Sequence, residues 1–429
     1  MRSSGRAVRS AWCAGRCGAA SGRSDTGGGP ERTAAAPHPP RAANRVPPAT
    51  AGPSALQLPY TGRPESCAVP NDIAVRLPQQ QSSSPSEQTA APREHRPDID
   101  LMRLICSATI MLGHVGAQFI HSTGNDPAGG SGAYWAGHVA EAVNPYAVPL
   151  YFAMAGWAVL VGAPPRDGAR MWQRIVRNVV PLFVWTAIYL VWAWLRDRNE
   201  RPVTELAAHS LFGSVQPAYH LWFMYTYIPL IALLAFAVLL RAGKRPWGLG
   251  AALLGIAVLP SALTTAAEVT GRDMPPVAWG FGTYSLVYAV GGALLFALPA
   301  GAVRRRWPLF VLLPLTMAGA LWYNTQIHYV MPNAHLFVAA MSICVLLLVS
   351  RVRVPGAWRP RLRKLAGAAL GAYLVHVLFV EEIVAPLVSP DLSGPVAGLL
   401  LVGLLITVMA LSFACSLLWG RLNLRRLLG

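Results

Sequence analysis

Arg103 and His114 stand eleven positions apart in one apolar run, D-I-D-L-M-R-L-I-C-S-A-T-I-M-L-G-H-V-G-A-Q-F from Asp98 to Phe119. Eleven residues at about 100° each make roughly three turns plus 20°, so on a helix both side chains project from one face, about 16 Å apart along the axis. An ionisable group inside an apolar span is costly and is read first as functional. A guanidinium suits phosphate oxygens. Burial disfavours the charged imidazolium, so His114 is expected neutral and able to accept a proton as a general base. The pair suits a charged donor that docks at the membrane surface and brings its reactive end to the histidine near the midplane. The plainer alternatives are a histidine bonded to a neighbouring helix and an arginine snorkelling to the interface.

Other residues carry weaker signals. Arg174-Ile175-Val176-Arg177 precedes the third apolar run, and an i, i+3 pair of guanidiniums on one helical face makes a phosphate site. His220-Leu221-Trp222-Phe223 opens the fourth run at the outer surface, where aromatics more often form an interface belt. Tyr373-Leu374-Val375-His376 lies within the ninth run, with Glu381 and Glu382 toward its outer end. Acids at that depth need a partner or a water-filled cavity, so they either line an acceptor site or pair structurally. The chain has no G-x-S-x-G elbow, P-loop, H-E-x-x-H or dinucleotide fingerprint. Its six cysteines show no zinc-ligand spacing and no disulfide framework, so free thiols and no metal are expected.

The elements that must position these residues are membrane helices. The chain is 54 % hydrophobic and only 13 % charged, which excludes an ordinary soluble protein. Its net charge of +17 does not indicate nucleic acid, because the cations sit in short loops between apolar runs. Residues 1–97, rich in Gly, Pro, Ala, Ser and Arg, cannot offset their ordering entropy by burial and are expected to be a disordered cytoplasmic tail. Residues 98–420 hold about ten runs long enough to span, roughly 101–120, 141–161, 179–195, 219–240, 247–266, 277–300, 307–325, 334–350, 365–386 and 395–418. Residues 421–429 form a basic tail. The expected fold is thus all-α and polytopic. Alternate loops hold the cations of 166–177, 241–245, 304–306, 351–364 and 421–426, whereas the others hold only Arg196, Arg198, Arg201 and Arg272. That bias places both termini in the cytoplasm.

Together these residues resemble the acyltransferase-3 family of integral-membrane acyltransferases. Asp100-x2-Arg103-x10-His114 is similar to its opening signature, and Arg174-x2-Arg177 to its second arginine motif. V-P-L-Y-F-A-M-A-G-W at 148–157, H-L-W-F-M at 220–224 and Y-L-V-H at 373–376 resemble three further segments. The resemblance covers about residues 96 to 420. Ala155 stands where the family usually has serine, Val377 where it usually has proline, and no second histidine adjoins His114.

The resemblance implies an enzyme of a bacterial cytoplasmic membrane that takes an acyl group, commonly acetyl, from cytosolic acyl-coenzyme A and passes it to a hydroxyl of a sugar, glycan or glycolipid. Arg103, Arg174 and Arg177 would hold the donor's phosphates, Asp100 would orient Arg103, and His114 would be general base or a transient acyl carrier. His376, Glu381, Glu382, His220 and Trp222 would face the acceptor. A transporter built on ten spans, and a non-catalytic subunit of a glycan-export machine, are the competing readings.

Overall fold

Pro97 opens helix α1 (Pro97–Ser122), where its missing N–H costs nothing, and Asp98 and Asp100 occupy the first turn, where the helix dipole favours anions. In the computed structural model, which describes residues 95–199 and 201–429, the chain continues as helices, with no strand among the described residues. The tail expected before residue 95 lies outside the described residues. After α1 come α2 (Ser131–Gly162), α3 (Gly168–Leu195), α4 (Tyr219–Arg241) and α5 (Trp247–Thr270). Then follow α6 (Thr283–Ala297), α7 (Trp307–Gln326), α8 (Leu336–Val349), α9 (Gly356–Leu387) and α10 (Gly394–Arg421).

Seven of these helices, α1 to α5 with α9 and α10, are long and apolar enough to cross a membrane. Helices α6 and α8 are apolar but shorter, and α7 ends on the polar residues Asn324, Thr325 and Gln326. Three helices begin well before the apolar run that announces them. Helix α2 starts at Ser131, α3 at Gly168 and α9 at Gly356, rather than at 141, 179 and 365. In α3 the Asp167 carboxylate caps the new start by accepting from the Arg170 N–H at 2.7 Å. In α9 the added turns hold Arg359, Arg361, Arg363 and Lys364, all good helix formers. Arg174 and Arg177 therefore sit on α3 itself and not in a loop before it.

The bundle has an apolar core and an apolar outside as well. Of α1's apolar stretch, which carries Arg103 and His114, 61 % is buried against other helices, whereas only 6 % of α5's is. Leu254, Val258, Phe310, Leu315, Leu399 and Ile406 stand exposed on the outside, a surface that suits lipid and not water. With no hydrophobic drive between helices in lipid, close approach comes from small residues. Gly113 and Gly116 of α1 meet Asn144, Gly137 and Ala140 of α2. Gly156 of α2 lies on the carbonyl of Ala289 in α6, and Gly292 of α6 lies on Ala153.

The cations gather at one end of the bundle. There Arg96 donates to the Phe296 carbonyl at 2.9 Å, and Arg306 donates to the carbonyls of Leu348 and Ser350 at 3.3 Å each. The Arg351 N–H donates to Asp98 at 2.7 Å. These bonds tie the ends of α6 and α8 to the starts of α1 and α7. The closing residues, expected as a basic tail, include a short helix, Arg425–Leu428, that packs on α3 and α9, with Trp185 Nε1 donating to the Leu428 carbonyl at 3.2 Å.

Two helices contain a wide π turn. Helix α2 ends in one at Ala158–Gly162, and α9 holds another at Val380–Val384, between the α-helical stretch Arg359–Phe379 and its last turn Ala385–Leu387.

Candidate active site

His114 comes from the middle of α1, which α2, α9 and α10 surround. Its ring centroid is 5.0 Å from that of His376 in α9 and 6.5 Å from that of His220 at the start of α4. His220 and His376 are 5.4 Å apart. Helices α1, α4 and α9 thus converge on three imidazoles. Tyrosines hold them: Tyr219 is 5.8 Å from His114, Tyr189 is 4.9 Å from His220, and Tyr373 is 5.6 Å from His220. His220 and His376 are buried, while His114 keeps partial access. His114 lies about 12 Å from the Ser122 end of α1.

Two of the rings have their proton positions set by neighbours. His376 Nδ1 meets the Tyr373 carbonyl, one helical turn back, and His220 Nε2 meets the Leu374 carbonyl at 3.4 Å. A carbonyl only accepts, so each of those nitrogens carries the hydrogen. His376 Nε2 and His220 Nδ1 are then bare acceptors, buried and without a hydrogen-bond partner among the described residues. An unsatisfied buried acceptor costs roughly 1–3 kcal/mol, so two beside a third imidazole mark a place built for a donor that arrives. Tyr373 donates in turn to the His220 carbonyl, and Tyr189 to the Leu374 carbonyl at 2.9 Å, locking α3, α4 and α9 around the rings. No group of three or more His, Cys, Asp or Glu among the described residues has a geometry that could hold a metal ion.

His220 is 2 % exposed, not on an outer rim. The reason lies in the helices that meet it. His114 of α1, Tyr189 of α3 and Tyr373, Leu374 and His376 of α9 pack around its ring. The connections 203–218 and 276–282 are tied to each other by Trp279 Nε1 donating to the Leu211 carbonyl at 2.7 Å and the Ala278 N–H donating to the Phe212 carbonyl at 2.8 Å. Trp222, two residues on, is half-buried and packs edge-on to Phe223 at 6.4 Å, apart from the imidazoles.

Glu381 and Glu382 have structural partners. Glu382 accepts from Arg196 at 2.6 Å and from Trp192 Nε1 at 2.8 Å, and Glu381 accepts from Gln118 at 3.3 Å and lies 3.5 Å from Arg198. The cations of the loop after α3 are latched to α9 by these acids. Because the Arg196 side chain is 56 % exposed, Arg196→Gln and Glu382→Gln should couple by no more than about 1 kcal/mol in a double-mutant cycle read by thermal unfolding. A coupling of several kcal/mol would show the pair to be shielded from water.

At the basic end, Asp100 is buried and links Arg103 to His95. Its Oδ1 lies 3.3 Å from Arg103 Nη1 and its Oδ2 lies 2.7 Å from His95 Nε2. Tyr151 of α2 donates to the Arg103 carbonyl at 3.2 Å and lies 2.7 Å from Ser107 Oγ, pinning this part of α1. Arg174, half-buried, and Arg177, exposed, lie in the first turns of α3 and have no bond to Arg103 among the described residues. Tyr151, Tyr189 and Tyr373 carry no individual role in the sequence pattern. The P-L-Y-F and Y-L-V-H segments carry two of them, and Tyr189 has no signal beyond its place in an apolar helix.

No curated protein and no solved structure matches the chain. The residues that build the arginine end and the imidazole cluster nevertheless fall inside one matched region: a family model described as an acyltransferase domain covers residues 96–419, so the chain belongs to the acyltransferase-3 family.

Proposed function

We propose that this membrane acyltransferase moves an acyl group, acetyl in the first instance, from cytosolic acyl-coenzyme A to a hydroxyl of a sugar, glycan or glycolipid. The carrying observation is the imidazole cluster, in which largely buried His114 lies beside two fully buried rings whose bare nitrogens await a donor. On this reading the basic end faces the cytoplasm of a bacterial cell, and the donor's phosphates meet Arg103, Arg174 and Arg177. Asp100 holds Arg103, and the thioester arm follows the His114 face of α1.

The proposed step balances as follows. A nitrogen of His114 takes the proton from the acceptor hydroxyl as its oxygen attacks the thioester carbonyl carbon. The carbon–sulfur bond then breaks, the imidazolium returns its proton to the departing thiolate, and an ester and a free thiol remain. Between those events the charged His114 ring can donate to His376 Nε2 or His220 Nδ1. An acceptor able to hydrogen-bond an imidazolium lowers the cost of forming that charge away from water. Trp222, Glu381 and Glu382 stay outside the proposed reacting centre.

The test is labelled acetyl-coenzyme A incubated with membranes containing the protein, followed by identification of the labelled product. Label entering an alkali-labile ester supports the proposal, and no label beyond background rejects it. Arg174→Gln together with Arg177→Gln should raise the donor KM by about tenfold or more and leave kcat nearly unchanged, the signature of lost ground-state binding. A fall in kcat at constant KM would place these arginines at the reacting atoms instead.

A further inference from the structure

We infer that a second basic site, on α9 and outside the two arginine motifs, binds a phosphate monoester, and that its ligand is the terminal phosphate of the donor nucleotide. This rests on the donor assignment above.

A cleft of about 500 Å³ at the basic end is lined by His95, Arg359, Arg363, Lys364 and Arg425, with Pro360 and Gly367. No carboxylate lines it. Among the described residues none of Arg359, Arg363, Lys364 and Arg425 makes an ion pair. Like charges so gathered repel, and the arrangement is relieved by a multivalent anion. A phosphate monoester carries about −1.5 to −2 charges and three acceptor oxygens near neutral pH, which suits several guanidinium and ammonium groups at once. The α-helical part of α9 begins at Arg359, so the cleft also lies at the positive end of that helix.

The cleft adjoins the reaction path. His95 on its wall lies 2.7 Å from the buried carboxylate of Asp100, whose other oxygen contacts Arg103 on the His114 face of α1. Coenzyme A carries a diphosphate between its nucleoside and its thioester arm, and a separate phosphate monoester on the ribose. With the arm beside Arg103 and His114, the monoester is the part that reaches past Asp100 to α9. An anionic lipid headgroup offers the same phosphate chemistry at a membrane surface, so the test separates the two sources.

The experiment uses the full chain in phosphatidylcholine nanodiscs and equilibrium binding of coenzyme A and of dephospho-coenzyme A, which lacks only the ribose phosphate. Wild type is expected to bind the dephospho form about tenfold or more weakly. Arg363→Gln combined with Lys364→Gln should bind both forms alike, while Arg305→Gln, which removes an exposed cation elsewhere at the same end, should keep the difference. Retention of the full difference by the double variant overturns the inference. So does an unchanged difference accompanied by loss of phosphatidylglycerol co-purification, which would assign the cleft to lipid. If wild type binds neither nucleotide, the donor assignment itself fails and the cleft's ligand with it. If it binds both equally, only the cleft's role in donor binding is overturned.

Discussion

His114→Ala is expected to reduce acyl transfer by about 10²–10⁴-fold, the range a positioned general base contributes. The protein should still insert and elute as wild type does, because α1 is held by contacts that do not involve this ring. Gly113 and Gly116 seat it on α2, and Asp98 ties it to Arg351. The other two imidazoles cannot substitute. His376 and His220 are oriented by the carbonyls of Tyr373 and Leu374 and are buried, whereas His114 keeps access. Their own replacement should cost less. His376→Gln keeps a polar group but loses the fixed ring, and about tenfold is expected, in line with an outer partner that orients or stabilises and does not react. The measurement is labelled ester formed per unit of inserted protein for each variant. Normal transfer by His114→Ala would falsify the assignment of the base. A greater loss for His376→Gln than for His114→Ala would move that role to α9.

Gly156→Leu is expected to abolish recovery of folded protein. A Cβ at this position would land on the backbone carbonyl of Ala289, and backbone, unlike the end of a side chain, cannot turn aside. Across the same interface a Cβ on Gly292 would meet Ala153. Overpacking a core costs about 1–3 kcal/mol even where side chains yield, and separating α2 from α6 forfeits the whole contact. Even Gly156→Ala should lower the unfolding temperature. Gly255 supplies the control: it lies in α5 with nothing within 4 Å of a Cβ, so Gly255→Ala should be neutral or stabilising by up to about 1 kcal/mol. Size-exclusion profiles and thermal unfolding of the detergent-solubilised variants check this. A monodisperse Gly156→Leu protein with wild-type stability would show that α2 and α6 do not pack as described.

The sequence states its helices through apolar runs, and it states Arg103 and His114 through their shared face, because helical periodicity is local. Helix starts were harder. The cationic first turns of α9 and the polar start of α2 look like loops to a reader of hydropathy, although their residues are good helix formers or lie against α1. The meeting of His114 with His220 and His376 was legible only as separate segments, since it depends on α1, α4 and α9 converging over long sequence separations. His220 in particular reads as an outer-rim residue because the rings that bury it, on α1, α3 and α9, are distant in the sequence. The pairing of Glu381 and Glu382 was one of two open readings. Deciding between them required knowing that the loop after α3 brings Arg196 and Arg198 to that end of α9.

The wide turn at Val380–Val384 has a bearing on how long this stretch can be. A π turn holds an extra residue, so the chain beyond it is rotated by about 100° from where uninterrupted winding would leave it. Deleting any one residue there should let the helix heal to ordinary pitch. His376, upstream, would keep its place, but Ala385–Leu387 and the connection into α10 would swing round, and Glu382 would leave Arg196. The spacing between the third imidazole and the outer latch is therefore fixed by residue count, and it would tolerate exchange of side chains far better than the loss of one.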